Sequence, residues 1–492
     1  MASILALDQG TTGTRAVIVR DDGSVAGAAA HEFAQHFPEP GWVEHDANEI
    51  FRTTVAAARE ALAQAGEVPA GIGIANQRET VVIWDRATLE PVGPAIVWQD
   101  RRTADRCRSL RADGLEPLIR ERTGLVADPY FSATKLEWML RDPAVRWRAE
   151  TGELAAGTMD TWLIARLTGG RVHVTDHTNA SRTLLYALDR RDWDPELLEL
   201  FSVPRLLLPD IVASSGTVGT TDPGHLGHAL PIAGIAGDQQ SALFGQGCVG
   251  LGMAKNTYGT GAFLLVHTGS ERPDQREGLL TTIACGPRGE PAFALEGSVF
   301  VAGAAIQWLR DGLGLLASAA ESEAMARSVP DTGGVHFVPA FVGLGTPHWE
   351  PEARGTITGL TRGTARAHLV RAALEAMAFG SADLLSAMER AGELHVPVLR
   401  VDGGATANDW LMQFQADVLG RPVERPDVVE TTALGAAALA GLALGVWRSV
   451  EEYVSARRFT RFTPAMDAAD RERKLEEWRR AIGAALAWAR GS

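Results

Sequence analysis

The stretch Ser3–Ala30, SILALDQGTTGTRAVIVRDDGSVAGAAA, indicates a β-meander at the start of the chain. Ser3–Leu7 is short and apolar, and Arg15–Val19 is rich in β-branched residues, as is typical of strands. Residues 8–13 between them have the Gly/Thr composition of a turn. Ser24–Ala30 then predicts a third strand.

A helix and a further strand follow the meander. Asp46 can cap a helix, and the apolar residues after it recur at helical spacing, at Ile50, Val55, Ala58 and Leu62. Gly71–Ala75 is short and apolar, which predicts a buried strand. Strands that alternate with helices in this way predict an α/β fold.

The second half repeats the opening theme. Ala254–Tyr258 and Ala262–His267 are predicted as strands, and Gly259-Thr260-Gly261 as the turn between them. Arg400–Asp402 is predicted as a further strand, and it ends in Gly403-Gly404. Each half therefore opens with a strand, a Gly/Thr turn and a strand. This pattern indicates an internal duplication with its boundary near Gly245.

Length and composition limit the classes of function. The chain has 492 residues, a hydrophobic fraction of 46%, a charged fraction of 22% and a formal net charge of -14. The length predicts two to four domains, and the composition is that of a soluble globular protein. The negative charge argues against nucleic acid as a partner, because phosphate backbones attract basic surfaces.

The cysteine spacing suggests neither a zinc site nor a disulfide framework, and the apolar runs do not predict a membrane span. Cys107, Cys248 and Cys285 form no CxxC pair, so we expect reduced, buried thiols. Met1–Leu7 lacks the features of a signal peptide. Thr431–Val446 is rich in Ala and Leu but too short to cross a bilayer, and it is predicted as a buried helix. We expect a cytoplasmic protein without a membrane span.

Three Gly-rich turns have the composition of nucleotide-binding loops. Asp8–Thr12 can aim backbone N–H groups and hydroxyls at phosphate oxygens. Asp8 can hold Mg²⁺, and Arg15 adds a positive fork. Gly259-Thr260-Gly261 and Gly403-Gly404 could let a nucleotide approach the backbone closely. Each segment could equally be an ordinary turn, so both interpretations stay open.

Two polar segments interrupt apolar stretches. Asn76–Thr80, NQRET, directly follows a predicted strand. Strand ends face the ligand crevice in an open α/β sheet, so these side chains suit a polyhydroxyl ligand, although a solvated loop is the alternative. Asp238-Gln239-Gln240 lies among small apolar residues. A carboxylate there is poorly solvated, which favours a functional role, and a helix N-cap is compatible with it.

Common catalytic motifs are missing from the sequence. It contains no HExxH metal motif and no GxSxG nucleophile elbow. It also lacks a Walker A motif, so any ATP site is not of the P-loop type.

Seven segments, taken in order, carry a family resemblance. They are NQRET (76–80), DPYF (128–131), VHVTDHTNASRT (172–183), GIAGDQQSALFGQ (234–246), GMAKNTYGTG (252–261), LTTIACGP (280–287) and RVDGGATAN (400–408). Together they resemble the FGGY carbohydrate kinases, and within them the group that phosphorylates glycerol. Two diffuse family signatures are also visible, one around Tyr130, Lys135 and Trp138 and one in residues 355–375. The resemblance covers essentially the whole chain.

The resemblance implies a fold and an activity. The fold is α/β, with two actin-like (ribonuclease-H-like) domains around a central ligand cleft. Residues 1–245 would hold the glycerol site and the phosphate loop, and residues 246–492 the adenine nucleotide site. The activity is ATP-dependent phosphorylation of glycerol to sn-glycerol 3-phosphate, the first step of glycerol catabolism, by in-line transfer. ATP and Mg²⁺ are the implied cofactors, and a dimer or tetramer of identical chains is expected.

The resemblance also implies roles for individual residues. Asp238 would be the general base, and Asp8 would lie near Mg²⁺. Glycerol would be bound by Arg78, Glu79, Tyr130, Asp238 and Gln239, with Trp98 and Phe263 as an apolar wall. The nucleotide would be bound by Thr11, Thr12, Gly13, Arg15, Thr260, Gly303, Gln307, Gly404 and Asn408. Many relatives have two serines where this chain has Gly13-Thr14, so its phosphate loop has one hydroxyl fewer.

Three other functions remain open at this point. A kinase of another polyol or of a ketose is the nearest, but Trp98 and Tyr130 would occupy the room that a longer sugar needs. An actin-like nucleotide-binding scaffold needs no base in its cleft, and Asp238 argues against it. A glycosidase needs two facing carboxylates, and nothing in the sequence pairs Glu79 with Asp238 in that way without leaving the phosphate loops idle.

The segment Pro223–Ala229, PGHLGHA, predicts weak or absent regulation by fructose 1,6-bisphosphate. Several bacterial members of the glycerol-phosphorylating group are inhibited by that sugar through a Gly-rich loop that ends in Arg. Here Pro223 stands at the leading Gly and Ala229 at the Arg. Proline has no N–H to donate, and alanine offers no charge to a phosphate.

Overall fold

The computed structural model of the chain describes residues 2–274 and 278–491. Met1, residues 275–277 and Ser492 belong to the stretches predicted as domains, but they lie outside the described residues.

The strands and helices alternate along most of the chain. The strands of the first half are β1 Ser3–Gln9, β2 Gly13–Arg20, β3 Val25–Glu32, β4 Glu44–His45, β5 Gly71–Asn76, β6 Val81–Asp85, β7 Ala95–Ile96, β8 Leu154–Thr158, β9 Val174–Asp176, β10 Tyr186–Ala187, β11 Asp192–Trp193, β12 Asp210–Val212, β13 Ser215–Thr220 and β14 Pro231–Gly237. Those of the second half are β15 Ala254–Tyr258, β16 Ala262–Gly269, β17 Leu280–Cys285, β18 Pro291–Val299, β19 His336–Val338, β20 Thr356–Thr358, β21 Leu399–Asp402, β22 Val423–Pro426 and β23 Phe459–Phe462.

The helices fill the connections. Those of the first half are α1 Ala47–Ala65, α2 Ala104–Ala112, α3 Glu116–Thr123, α4 Ala133–Met139, α5 Pro143–Glu150, α6 Met159–Leu167, α7 His177–Ala180, α8 Pro195–Leu200, α9 Pro223–Leu226 and α10 Asp238–Gly245. Those of the second half are α11 Gly303–Asp311, α12 Glu321–Arg327, α13 Arg366–Gly392, α14 Asp409–Leu419, α15 Thr431–Ala443, α16 Val450–Ser455 and α17 Ala468–Arg490. Short 3₁₀ turns occur at Arg205–Leu207 and Gly404–Ala407.

The first large sheet has six strands in the order β13-β14-β5-β1-β2-β3. β1, β2 and β3 form an antiparallel meander, which confirms the prediction for residues 3–30. β5 runs parallel to β1, and β14 runs parallel to β5. All residues of β5 are buried, because the strand lies inside the sheet and helices cover it.

The second large sheet repeats this arrangement in seven strands, in the order β17-β18-β16-β15-β21-β22-β23. β15 and β16 form an antiparallel hairpin that continues into β18. β21 runs parallel to β15, and β22 runs parallel to β21. Each sheet therefore combines a hairpin, a third antiparallel strand and two parallel strands in the same order. This confirms the internal duplication that the sequence indicated.

Local signals explain where the first long helix begins and ends. The Asp46 side chain accepts a hydrogen bond from the backbone N–H of Asn48, which satisfies a free donor at the start of α1. Gly66 ends α1 in the left-handed conformation, with φ at 64°. The predicted apolar stripe faces the core, where Ile50 and Ala58 are buried.

Helix α15 belongs to the second half of the chain but packs on the first sheet. It lies across β1, β5 and β14 and also contacts α10. The approach is so close that a Cβ at Gly73 would collide with the carbonyl oxygen of Ala436. Ala433 and Ala437 are fully buried at this contact, and the predicted buried helix is confirmed.

The predictions for cysteines and membrane segments can be compared with the structure. Cys107, Cys248 and Cys285 are free and buried, as predicted. Within the described part of the chain, the helices are too short or too polar to cross a bilayer.

Candidate functional site

The candidate site lies at one edge of the first sheet, where three parallel strands end. Asp8 of β1 and Ala236 of β14 both stand in register with Ala75 of β5. The chain leaves β5 into Asn76–Thr80 and leaves β14 into Asp238. The register therefore brings three separate sequence signals to one place, as expected for the carboxyl ends of parallel strands.

Arg78 is the most connected side chain of the site. Only 2% of it is exposed. Its Nη1 and Nη2 donate to Glu296 Oε2 and Oε1 at 2.5 and 3.0 Å. Its Nη2 also donates to the Tyr130 hydroxyl at 3.3 Å, and its Nε lies 3.3 Å from Asp238 Oδ1. Burial opposes the charge of this guanidinium, yet Glu296 and Glu79 raise its pKa further, so Arg78 is a fixed cation.

Glu79 stands in an uncommon backbone conformation for a residue other than glycine, with φ at 56°. Its carboxylate accepts a hydrogen bond from Arg182 Nε at 2.7 Å, and its backbone carbonyl accepts one from the Ser132 hydroxyl at 3.0 Å. Burial raises the pKa of Glu79, and Arg78 and Arg182 oppose that rise. The surroundings therefore hold this side chain in place at the edge of the cleft.

An aromatic pair links Arg78 to the turn at residues 10–12 between β1 and β2, the predicted phosphate turn. The rings of Trp98 and Tyr130 meet edge to face, with their centroids 5.4 Å apart. Trp98 Nε1 donates to the Thr11 hydroxyl at 3.0 Å. The loop that carries Tyr130 is fixed by Lys135, whose Nζ donates to the carbonyls of residues 129, 130 and 131. Burial lowers the pKa of Lys135 to about 8.

Asp8 and Asp238 are electrostatic neighbours. Burial and the charge of Asp238 together raise the pKa of Asp8 to about 7, although the charge of Arg15 acts in the opposite direction. Asp238 is the first residue of α10, and its side chain is 31% exposed toward the cleft. Mg²⁺ takes oxygen ligands, so the Asp8 carboxylate is a group that could hold it.

No cluster of three or more His, Cys, Asp or Glu side chains suited to a metal ion occurs in residues 2–274 and 278–491. A magnesium ion at Asp8 would therefore take its other ligands from water and phosphate oxygens.

Gln239 and Phe263 connect the site to the second sheet. Gln239 Oε1 accepts a hydrogen bond from Lys255 Nζ at 2.5 Å, and the same Nζ donates to the Thr257 hydroxyl at 2.7 Å. Phe263 is directly paired with Thr257 across β15 and β16. Directly paired residues share one face of a sheet. Phe263 therefore lies on the sheet face that meets Gln239.

The phosphate turn is a tight loop between β1 and β2. The Gly10 N–H donates to the Gly13 carbonyl at 2.9 Å, and Gln35 Nε2 donates to the Thr11 carbonyl at 2.9 Å. A Cβ at Gly13 would lie 2.8 Å from the His31 carbonyl oxygen, so a serine here requires the backbone to move. Thr12 is exposed at the tip of the turn.

Arg15 lies beside the turn and reaches a distant part of the chain. Its Nη1 donates to Glu430 Oε1 at 3.0 Å, with both side chains partly exposed. The pair borders a groove of about 380 Å³ that Val25 and Val428 also line. Arg15 thus contacts Glu430, the residue directly before α15.

The remaining predicted nucleotide residues lie at the corresponding edge of the second sheet. The Thr260 carbonyl accepts hydrogen bonds from the N–H groups of residues 302 and 304 at 2.9 and 3.1 Å, which joins this turn to Gly303 at the start of α11. Gln307 is exposed one helical turn further on. Gly404 follows β21, the strand next to β15, and is exposed.

Asn408 has a structural role in addition to the predicted one. Its side chain caps α14 by accepting from the Leu411 N–H at 2.9 Å, and its amide donates to the Ser322 hydroxyl at 3.3 Å. Among the described residues, these contacts tie Asn408 to α12 and α14 and not to Thr260 or Gln307.

Three buried charged residues of the site were not predicted individually. Glu296 lies in the apolar strand β18, Lys255 in β15, and Arg182 in the quoted segment VHVTDHTNASRT. A lone charge in an apolar strand is a usable signal, because such a group is rarely buried without a partner. The sequence alone does not show which partner it meets.

The rest of VHVTDHTNASRT supports the same strand ends. The Thr178 hydroxyl accepts a hydrogen bond from the Gly237 N–H at 2.8 Å, directly before Asp238. The Asn179 and Asn76 amides exchange hydrogen bonds at 2.9 and 3.0 Å, at the first residue of NQRET. The Asp176 carboxylate holds both Thr178 and Asn179. This short segment therefore sets the relative position of Arg78 and Asp238.

Family models and curated proteins match the chain over nearly its whole length. Residues 3–245 match the N-terminal domain of the FGGY family of carbohydrate kinases, and residues 254–444 match its C-terminal domain. A protein named glycerol kinase from Alkalilimnicola ehrlichii is 56% identical over 100% of this chain and 99% of its own length. Another of that name, from Carboxydothermus hydrogenoformans, is 56% identical over 99% of this chain and 98% of its own length.

Solved structures show the same fold. The crystal structure of Plasmodium falciparum glycerol kinase with ADP superposes with a TM-score of 0.93 at 36% identity, covering 99% of this chain and 98% of that one. This overall likeness includes both large sheets and the helices between them.

Proposed function

The chain belongs to the FGGY family of carbohydrate kinases, and on that premise we propose that it phosphorylates glycerol with ATP to give sn-glycerol 3-phosphate. The observation that carries the proposal is the full-length identity of 56% with proteins named glycerol kinase. The fold is α/β with two actin-like domains, as expected from the sequence. In a cell this reaction is the first step of glycerol catabolism.

The glycerol site is proposed at the ends of β5 and β14. Arg78, Glu79 and Tyr130 lie within hydrogen-bonding distance of one another or of a shared partner, and Gln239 and Asp238 are adjacent in α10. Glycerol is small and flexible, so several fixed donors and acceptors are needed to orient it. Trp98 and Phe263 would form the apolar wall behind its carbon atoms.

Asp238 is the proposed general base. Phosphoryl transfer requires little covalent chemistry from a protein, so positioning and charge stabilisation dominate. Asp238 would accept the proton of the attacking hydroxyl while Arg78 holds the neighbouring oxygen. The oxygen of glycerol then attacks the γ-phosphorus in line, the bond from that phosphorus to the bridging oxygen breaks, and ADP leaves.

The nucleotide is proposed to bind between the two Gly/Thr turns. Thr11, Thr12, Gly13 and Arg15 would face its phosphates. Thr260, Gly303, Gln307, Gly404 and Asn408 would hold the rest of the nucleotide. Asp8, beside Asp238, would hold Mg²⁺, which would offset negative charge on the phosphates.

The wider organisation is proposed to follow the sequence. Residues 1–245 would form the domain with the glycerol site and the phosphate loop, and residues 246–492 the domain with the adenine nucleotide site. The family-model boundaries at residues 245 and 254 support this division. A cytoplasmic homo-oligomer, either a dimer or a tetramer, is proposed on the family resemblance.

Glycerol is favoured over longer sugars by the aromatic pair. Trp98 and Tyr130 meet edge to face beside Arg78, and we expect them to occupy the room that a fourth or fifth carbon would need. A kinase of a longer polyol or ketose is therefore the second candidate.

The test is to incubate the protein with MgATP and glycerol and to identify the phosphorylated product by ³¹P NMR. A panel of other polyols and ketoses under the same conditions measures specificity. We expect sn-glycerol 3-phosphate as the main product. Faster phosphorylation of a longer sugar would assign that sugar as the substrate instead of glycerol. ATP binding without transfer to any member of the panel would favour a nucleotide-binding scaffold.

A further inference from the structure

Four buried charged side chains form a closed ring beside the proposed glycerol site. Glu296 accepts from Arg78 Nη1 at 2.5 Å and from Arg182 Nη2 at 3.0 Å. Arg182 Nε donates to Glu79 Oε1 at 2.7 Å. Glu79 Oε1 lies 3.6 Å from Arg78 Nε, which closes the ring. Arginine and glutamate therefore alternate around it, and the four formal charges cancel.

The ring joins three distant parts of the chain. Arg78 and Glu79 follow β5 of the first sheet, and Arg182 follows α7. Glu296 belongs to β18 of the second sheet. At most 4% of any of these side chains is exposed. A carboxylate of the second half of the chain thus completes the surroundings of two proposed glycerol ligands of the first half.

The electrostatics show how tightly Glu296 is held. Burial on its own would raise the pKa of Glu296, but Arg182 and Arg78 outweigh it and hold the pKa at about 2. Removing one partner of a buried ion pair leaves the other charge without compensation, which is strongly unfavourable. Arg78 and Arg182 therefore depend on Glu296 for their positions.

We propose that Glu296 and Arg182 are positioning residues for the acceptor substrate, an inference that rests on the proposed function. They fix the guanidinium of Arg78 and the carboxylate of Glu79 in the geometry that binds glycerol. Glu296 lies on the second sheet, so this geometry is complete only while β18 is docked against the first half. Correct docking of the two halves is thus a condition for binding the acceptor tightly.

The role of Glu296 is distinct from direct contact with substrate. Both of its oxygens are already engaged by the two arginines, so it acts through Arg78. Arg78 in turn reaches Tyr130 and Asp238 with its remaining atoms. A shift of the guanidinium by loss of Glu296 would therefore move the acceptor relative to the base.

The test is steady-state kinetics of Glu296→Gln, which keeps the shape of the side chain and removes its charge. We expect the KM for glycerol to rise roughly 10- to 100-fold, the range that loss of a charge-assisted hydrogen bond gives. The KM for ATP should stay within about twofold of its original value, because the ring lies on the acceptor side. Glu375→Gln is the matched control.

Glu375 is a suitable control because it is also a buried glutamate of the second half in an ion pair. It lies on α13, 3% exposed, and its Oε1 accepts from Arg371 Nε at 3.0 Å. A variant there loses a comparable ion pair. It should lower stability without a selective change in the KM for glycerol.

A second variant separates positioning from stability. In the double variant Glu296→Gln, Arg182→Met, the uncompensated charge of Arg182 is gone, so thermal stability should recover relative to the single variant. The raised KM for glycerol should persist, because Arg78 still lacks its partner. Should Glu296→Gln not fold, Arg182→Lys serves instead, and a selective rise in the KM for glycerol is again expected.

Two results would overturn the proposal. One is an unchanged KM for glycerol in folded Glu296→Gln. The other is an equal rise in the KM for glycerol and for ATP that Glu375→Gln reproduces, since this indicates a general loss of structure. Failure of the proposed function is recognised separately, because the unmodified protein would then not phosphorylate glycerol at all.

Discussion

Oδ1 of Asp238 lies 3.3 Å from Nε of Arg78 and also accepts the backbone N–H of Gln239 at 2.7 Å. Among the described residues, the hydrogen bonds and ion pairs of this carboxylate involve Oδ1 only. Oδ2 is therefore the oxygen that remains for an incoming hydroxyl. One oxygen orients the side chain and the other is placed to take a proton, which is the division that a general base requires.

Replacing Asp238 by Asn should lower kcat for glycerol by about 10²- to 10⁴-fold, the usual contribution of general base catalysis. The amide keeps an oxygen for the Gln239 N–H but cannot accept the proton. The measurement is product formation at saturating glycerol and ATP. Asp470→Asn, at the exposed start of α17, is the control and should behave like the unmodified protein. Near-normal turnover of the Asp238 variant would show that Asp238 binds a ligand or supports the structure and is not the base.

Replacing Arg78 by Ala should raise the apparent KM for glycerol strongly and leave nucleotide affinity nearly unchanged. Arg78 contacts Tyr130 and Asp238 at the acceptor side, and none of its hydrogen bonds or ion pairs within the described residues reaches the Gly/Thr turns. The variant should also unfold more easily, by about 3–5 kcal/mol, because Glu296 loses a buried partner. Kinetics and calorimetric ADP binding should therefore be measured well below the melting temperature. A comparable loss of affinity for both ligands would show that Arg78 is misassigned.

Fructose 1,6-bisphosphate at millimolar concentration should not inhibit the enzyme at pH 7. Pro223 begins the one-turn helix α9, and the Asp222 carboxylate accepts the Gly224 N–H at 2.8 Å. The N–H that a phosphate could use is thus already bonded, and the carboxylate would repel the phosphate. Initial rates with and without the sugar test this expectation, and Ala229→Arg tests whether one added cation creates sensitivity. Clear inhibition of the unmodified enzyme would mean that other residues bind the sugar.

Acid should destabilise the fold through His45. The neutral ring bonds Gln35 through Nε2 at 2.7 Å and Gln77 through Nδ1 at 3.4 Å. Burial and the nearby His36 together lower the pKa of His45 to about 4. His45 therefore takes up a proton near pH 6.5 in the unfolded chain but only near pH 4 in the folded chain. The contribution of the neutral ring to the free energy of unfolding is thus full above pH 6.5 and is lost as the pH falls toward 4.

The expected loss from His45 is roughly 2 kcal/mol at pH 5 relative to pH 7.5. Urea unfolding at both pH values measures it. His45→Gln should depend less on pH than the unmodified protein by about this amount, whereas His31→Gln, on the half-exposed strand β3, should keep the original dependence. Equal pH dependence of the His45 variant and the unmodified protein would contradict the assignment.

The fold was predictable from the sequence where local signals were strong. The strand predicted at Ala254–Tyr258 is observed with the same bounds, and the one at Gly71–Ala75 is longer by one residue. The helix predicted within Thr431–Val446 is observed at Thr431–Ala443. Alternation, turn residues and apolar runs depend on neighbours in the chain, so one sequence suffices to recognise them.

The site was predictable only in part, because much of it depends on contacts between distant residues. Arg78 and Asp238 stand out as polar residues at strand ends, and the structure brings them together. Glu296 and Arg182 lie 114 residues apart in sequence, and no local pattern pairs them. The roles of Gln307 and Asn408 stay predictions, since their contacts alone do not reveal a ligand.

The placement of α15 has a consequence for the order in which the chain can fold during translation. Residues 431–443 cover one face of β1, β5 and β14. They leave the ribosome long after the strands themselves. Until then the growing chain must carry an uncovered apolar sheet face, with the groove at Gly73 open. Synthesis of the first half alone should therefore yield an aggregation-prone intermediate that depends on chaperones. Production of both halves together should restore soluble, folded protein, because the second half supplies α15.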